Sequence, residues 1–89
     1  MAGEKYLERK TREAFEKRGG ECIKFLPSKK GLPDRIGLLN GRVWFIELKT
    51  TGKTLSPLQE WWRRRLTALG FEWRLIDTIE SLNQLIEEL

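Results

Sequence analysis

Asp34, Glu47 and Lys49 are the residues of this 89-residue chain whose types and spacing point to joint chemistry. Asp34 stands in Gly31-Leu32-Pro33-Asp34-Arg35, and Glu47 and Lys49 close the run Val43-Trp44-Phe45-Ile46-Glu47-Leu48-Lys49. Between them lies Asn40-Gly41, a pair that favours a tight hairpin because both turn positions need positive φ. Alternation along the second strand puts Val43, Phe45, Glu47 and Lys49 on one face, with Trp44, Ile46 and Leu48 on the other. Pairing across the turn can bring Asp34 level with Glu47. Two carboxylates and an ammonium at the end of a small sheet suit a divalent cation and an activated water. A surface ion pair between Glu47 and Lys49 is the plain alternative, since charged strand ends are common. Charges placed directly after Phe45-Ile46, on a strand apolar on both faces, weigh against it.

Composition narrows the chemistry. Histidine is absent, which removes Ser-His and Cys-His pairs, imidazole acid–base work and the usual zinc sites. Hydrolysis would therefore run on carboxylates, lysine and an oxygen-liganded ion such as Mg²⁺ or Mn²⁺. The single cysteine, Cys22, excludes an internal disulfide and fits a reducing cytoplasm. No apolar run reaches membrane length and no signal-peptide pattern opens the chain, so no membrane partner is expected. The length suits one domain, residues 1–89, with one modest core. Seventeen basic against thirteen acidic residues leave a net charge of +4, a balance that favours polyanions and makes nucleic acid the expected partner.

The elements that must position these residues read in order. Residues 4–18 form an amphipathic helix with Leu7, Thr11, Ala14 and Phe15 as its stripe, stopped by Gly19-Gly20. Glu8 borders that stripe, and a solvated helix-face glutamate is its bland reading. Cys22–Leu26 reads as a short strand closed by Pro27, and Ser28-Lys29-Lys30-Gly31 as a basic loop suited to a passing phosphate backbone. After the hairpin, Ser56-Pro57-Leu58-Gln59 opens a second helix with a capping box, a structural role sufficient to explain Gln59. Leu58, Trp62, Leu66 and Leu69 would be that helix's buried stripe. Trp61 lies off it and could stack on a base or meet a partner. Phe71–Ile76 follows as a strand parallel to 43–49, through a β-α-β crossover. Asp77 would cap a last helix with Ile79, Leu82, Leu85, Ile86 and Leu89 on its apolar side. The fold class is α/β: α-β-β-β-α-β plus a C-terminal helix, a mixed sheet flanked by helices.

Pro33-Asp34, twelve residues, then Glu47-Leu48-Lys49 resembles the PD-(D/E)xK, restriction-endonuclease-like core. Together with Gly31-Leu32-Pro33-Asp34-Arg35 and Ser56-Pro57-Leu58-Gln59, it resembles the short stand-alone VRR-NUC branch of phages and bacteria. The resemblance implies Asp34 and Glu47 as metal ligands and Lys49 as the lysine that positions or polarises water. It implies an acidic residue on the first helix, best fitted by Glu8 with Glu4 as rival, and places Gln59 near the site. A metal would be held by Asp34, Glu47 and the Leu48 backbone carbonyl, with Glu8 directly or through water. Lys29, Lys30, Arg35, Lys53, Arg63 and Arg64 are the residues expected to meet the DNA backbone. The implied enzyme is a Mg²⁺- or Mn²⁺-dependent DNA endonuclease acting in the host cytoplasm. It would be selective for branched DNA, as in Holliday-junction resolvases, and would work as a homodimer. Trp44, Trp61, Trp73 and part of the last helix's stripe are the apolar residues available for the dimer face. A flap- or fork-directed nuclease and a non-catalytic DNA-binding module on the same fold are the alternatives. A restriction-type enzyme would need base-reading segments that the chain lacks.

Overall fold

The computed structural model describes residues 2–89. In chain order its elements are α1 (Glu4–Lys17), β1 (Glu21–Lys24), β2 (Arg35–Leu39), β3 (Arg42–Leu48), α2 (Pro57–Ala68), β4 (Glu72–Ile76) and α3 (Ile79–Glu88). The turn between β2 and β3 forms as its residues dictate, with Asn40 and Gly41 both at positive φ, 52° and 74°. The four strands lie in sequence order, antiparallel from β1 to β3 and parallel between β3 and β4. This is the mixed sheet that the β-α-β spacing predicts.

Register divides the sheet into two faces. Arg35, Gly37 and Leu39 of β2 pair with Ile46, Trp44 and Arg42 of β3, and this face carries the main core beneath α1 and α3. Leu7, Phe15, Leu39, Trp44, Ile46, Leu48, Ile76, Leu82 and Leu85 form that core, with Phe15 edge-on to Trp44 at 5.5 Å. All four residues of the expected α1 stripe are buried, and the Thr11 hydroxyl satisfies itself on the Leu7 carbonyl at 2.7 Å. On the opposite face Ile23, Ile36 and Phe45 run across three strands, and α2 packs mainly over β4.

That partial cover changes several expectations. Of the proposed α2 stripe only Leu66 is buried; Leu58 and Leu69 are exposed and Trp62 is half-buried. Helical spacing identifies a helix's apolar side, but α2 presses it mainly against the edge strand β4. Ile79 of α3 is also exposed, at the rim beside Tyr6. The last helix is capped by Thr78, whose hydroxyl accepts from the Ser81 amide in a capping box, and not by Asp77. Trp44 and Trp73, offered as dimer contacts, are sealed inside the monomer. β1 ends at Lys24, short of the predicted Leu26, which is almost fully exposed.

At Gly37 the first helix packs tightly against the sheet through Phe15. A Cβ there would lie 2.2 Å from the Phe15 ring, with the ring held between Trp44 and the strand. Gly37→Ala should cost about 1–3 kcal/mol through overpacking. Urea unfolding should show a lower midpoint at unchanged slope. An unchanged midpoint would mean that α1 can shift away freely.

Candidate active site

β2 and β3 keep a constant register, Arg35 opposite Ile46 and Ile36 opposite Phe45. One step further sets Asp34 opposite Glu47, on the face that α2 shares. Asp34 is half exposed, with its side chain 48% accessible. Glu47 is buried, at 9%. Lys49 follows on the same face, its backbone N–H donating to the Ile76 carbonyl at 3.1 Å so that the strand stays extended past Leu48. The three residues picked from spacing thus arise from one strand end and its partner.

α2 supplies the next contact. Its capping box is complete: Gln59 N–H donates to Ser56 Oγ at 3.2 Å, and Ser56 N–H donates to Gln59 Oε1 at 2.9 Å. The remaining end of the same amide, Nε2, donates to Glu47 Oε2 at 3.3 Å. Gln59 therefore serves the helix start and the site together. The positive end of α2 also lies towards Glu47, which favours its ionised form.

Burial nonetheless dominates. The Glu47 carboxyl is pushed up to about 7, first by removal from water and then by Asp34 and Glu4, while Lys49 pulls it down. A carboxylate held in this way gains from a cation. Among the described residues no three acidic or thiol side chains converge into a ready-made cage. Two carboxylates suit Mg²⁺, which keeps several waters and takes the rest of its ligands from substrate phosphate. The donor set therefore fits the implied ion.

The first helix meets the site through Arg35. This guanidinium is 7% exposed as a residue. It pairs with Glu8 Oε2 on one side, and with Asp34 Oδ2 at 3.1 Å on the other. Arg35 is thus not on the DNA-facing surface where it was expected. It is a clamp between helix and site, because β2 alternation places it on the core face with Gly37 and Leu39. Sequence reading misses this role, although that alternation was the available signal. Glu8 spends its carboxylate on Arg35, while Glu4 is the α1 carboxylate whose charge reaches Glu47.

The outer basic residues differ among themselves. Lys29, Lys30 and Lys53 are exposed. Arg63 is held by Glu60 through three contacts of 2.9–3.3 Å, and Arg64 lies 3.7 Å from the same carboxylate. Cys22 is half-buried with its thiol raised to about 11, which makes it a poor nucleophile.

Comparison with known proteins bears on the fold. No family model matches the chain. "Putative nuclease p44" of Acyrthosiphon pisum secondary endosymbiont phage 1 is 38% identical over 74 residues, covering 81% of this chain and 80% of that protein. A solved structure described as a VRR-NUC domain matches at a TM-score of 0.85 and 26% identity, covering 97% of each chain.

The raised pKa of the Glu47 carboxyl sets a pH dependence for the metal-free protein. A folded-state value near 7 against an ordinary 4.5 means that stability is fully present below pH 4.5 and falls as pH rises through 7. Glu47→Gln removes that loss. Without divalent ions, Glu47→Gln should exceed wild type in stability by about 2 kcal/mol at pH 8 and by little at pH 5. Thermal melts in EDTA at the two pH values check this. Equal differences at both would refute the buried anion.

Proposed function

Because the chain belongs to the VRR-NUC nuclease family, we propose that it is a divalent-metal-dependent DNA endonuclease, selective for branched DNA and active as a homodimer. Its main support is the apposition of Asp34 and Glu47 across a fixed hairpin register, with Glu47 buried and short of positive charge. The exposed lysines around that face add a surface for phosphates, and binding should weaken steeply with salt.

Asp34, Glu47 and the Leu48 carbonyl would hold Mg²⁺ or Mn²⁺. When bound, the ion lowers the pKa of water and offsets charge at the scissile phosphate. Lys49 orients the attacking water by hydrogen bonding and adds positive charge as the phosphate becomes more crowded with electrons. Gln59 fixes the Glu47 carboxylate by donating to Oε2, so that its other lone pairs are free for the ion. Arg35 holds Asp34 while Glu8 holds Arg35. Glu8 therefore acts here as a positioning residue, with Glu4 the α1 carboxylate nearer in charge to the metal ligands. Lys29, Lys30, Lys53 and Arg64 meet the DNA backbone, with Arg63 drawn back by Glu60.

The dimer has a different apolar surface to draw on than the tryptophans suggested. Ile23, Leu38 and Phe71 are each about two-fifths exposed on the sheet face that α2 leaves bare. Two copies related by a two-fold axis would cover that face and present two sites to the paired strands of a junction.

Asp34→Ala and Glu47→Ala should abolish plasmid nicking in Mg²⁺, and EDTA should abolish it in wild type. Lys49→Ala should lose about a hundredfold or more in turnover while calorimetry still shows metal binding. Metal-dependent nicking by either carboxylate variant would refute the assigned site. Glu8→Gln should slow turnover with metal affinity kept, whereas loss of metal binding would make Glu8 a direct ligand.

For the substrate, a labelled four-way junction should be cut faster than flap, fork or linear duplex, by paired incisions. Sedimentation at micromolar concentration should give twice the 10.5 kDa chain mass. A monomer on junction DNA that still cuts both strands would refute the dimer.

A further inference from the structure

A second feature lies at the start of α2, the helix whose Gln59 reaches Glu47. Lys29, Lys30, Pro57, Leu58, Trp61 and Trp62 line an open cavity of about 630 Å³ between the loop before β2 and the first turns of α2. Its floor is apolar and its rim is cationic, with no carboxylate among the lining residues. Trp61 is 48% exposed, an unusual setting for so large an apolar ring. It stands edge-on to Trp62 at 4.9 Å, and Trp62 Nε1–H donates to the Lys30 carbonyl at 3.0 Å. Those two contacts fix the ring and the loop to each other, so the cavity exists before any ligand enters.

Gly31 keeps the cavity close to the cleavage face. Its φ is +87°, and a Cβ there would lie 2.7 Å from Leu58 Cγ. The loop is thereby seated on the helix one residue away from Gln59, whose amide touches Glu47. Only Leu32 and Pro33 separate Gly31 from Asp34. A strand whose phosphate lies at the carboxylates would have its neighbouring nucleotides within reach of Trp61.

Resting on the nuclease reading above, we infer that this cavity receives a nucleobase released from pairing at the branch point of the DNA substrate, stacked on Trp61, with its flanking phosphates held by Lys29 and Lys30. An indole face stacks on any base, typically contributing about 1–3 kcal/mol, while a paired base inside a duplex has no free face to offer. The two ammonium groups suit a polyanionic chain and disfavour a cationic peptide. The site therefore selects DNA with single-stranded or unstacked nucleotides next to the scissile bond, and reads no base edges.

The test measures binding in EDTA, where no cleavage occurs. Fluorescence anisotropy compares a blunt duplex with the same duplex carrying a short single-stranded extension. The wild type should prefer the extended form, and Trp61→Ala should reduce that preference about tenfold, with Trp61→Phe restoring most of it. Lys29→Gln combined with Lys30→Gln should lower the slope of log affinity against log salt for the extended form by about 1.4. An unchanged preference in Trp61→Ala would overturn the inference. So would a halved sedimenting mass in that variant without DNA, which would make the cavity a contact between copies of the chain. Nicking of plasmid in Mg²⁺ by wild type, and its loss in Asp34→Ala, reports separately on the nuclease reading.

Discussion

The structure depends on one unfavourable juxtaposition: two carboxylates held opposite each other at a hairpin end, one of them out of water. Left alone, Asp34 and Glu47 repel, and burial of Glu47 adds to the cost. The fold tolerates this because the strain is local while the forces that maintain it are distributed. Behind Glu47, on the other face, Trp44, Ile46 and Leu48 are buried against Leu7, Phe15 and Leu85. Their transfer from water contributes about 1.5–3 kcal/mol each, well above the penalty for one poorly solvated carboxyl. The hydrophobic face of β3 thus fixes the strand that its charged face would prefer to release.

The surrounding residues restrain the pair without neutralising it. Lys49 attracts Glu47, Gln59 donates to it, and Arg35 draws Asp34 towards the core face. A closer counter-ion would relieve the repulsion and leave less for the proposed metal ion to offset. Arg35 is divided between Glu8 and Asp34 and so cannot fully serve either. On the proposed reading, such an arrangement would favour an ion that arrives with the substrate's own negative charge over one locked permanently in place.

Local signals were legible in the sequence, and long-range partners were not. Asn40-Gly41 determines its turn from two residues, and the register it sets carries Asp34 opposite Glu47. The α1 stripe of Leu7, Thr11, Ala14 and Phe15 is equally local, and each member is buried. The α2 stripe failed at Leu58 and Leu69 because helical period says nothing of how much sheet lies opposite. Arg35 reads in the sequence as a contact for the DNA backbone, yet its partner Glu8 lies twenty-seven positions away. The capping box accounts for Gln59 locally and the family resemblance puts it near the site, but the bond to Glu47 itself needs α2 to be seated on the sheet. The tryptophans show the same divide: Trp44 and Trp73 were consumed by the core, and Trp61 was left outside.

Gln59 also limits which residues the chain can accept. A capping box works equally well with glutamate or glutamine at its third helical position, and elsewhere the two are interchangeable. Here Oε1 is engaged by Ser56 N–H, which leaves the far end of the side chain directed at Glu47. Glutamate would preserve the helix start but bring a third anion to the pair, and alanine would lose both bonds. One amide orientation thus removes the usual freedom of substitution from a position that, judged by the helix alone, has two good answers.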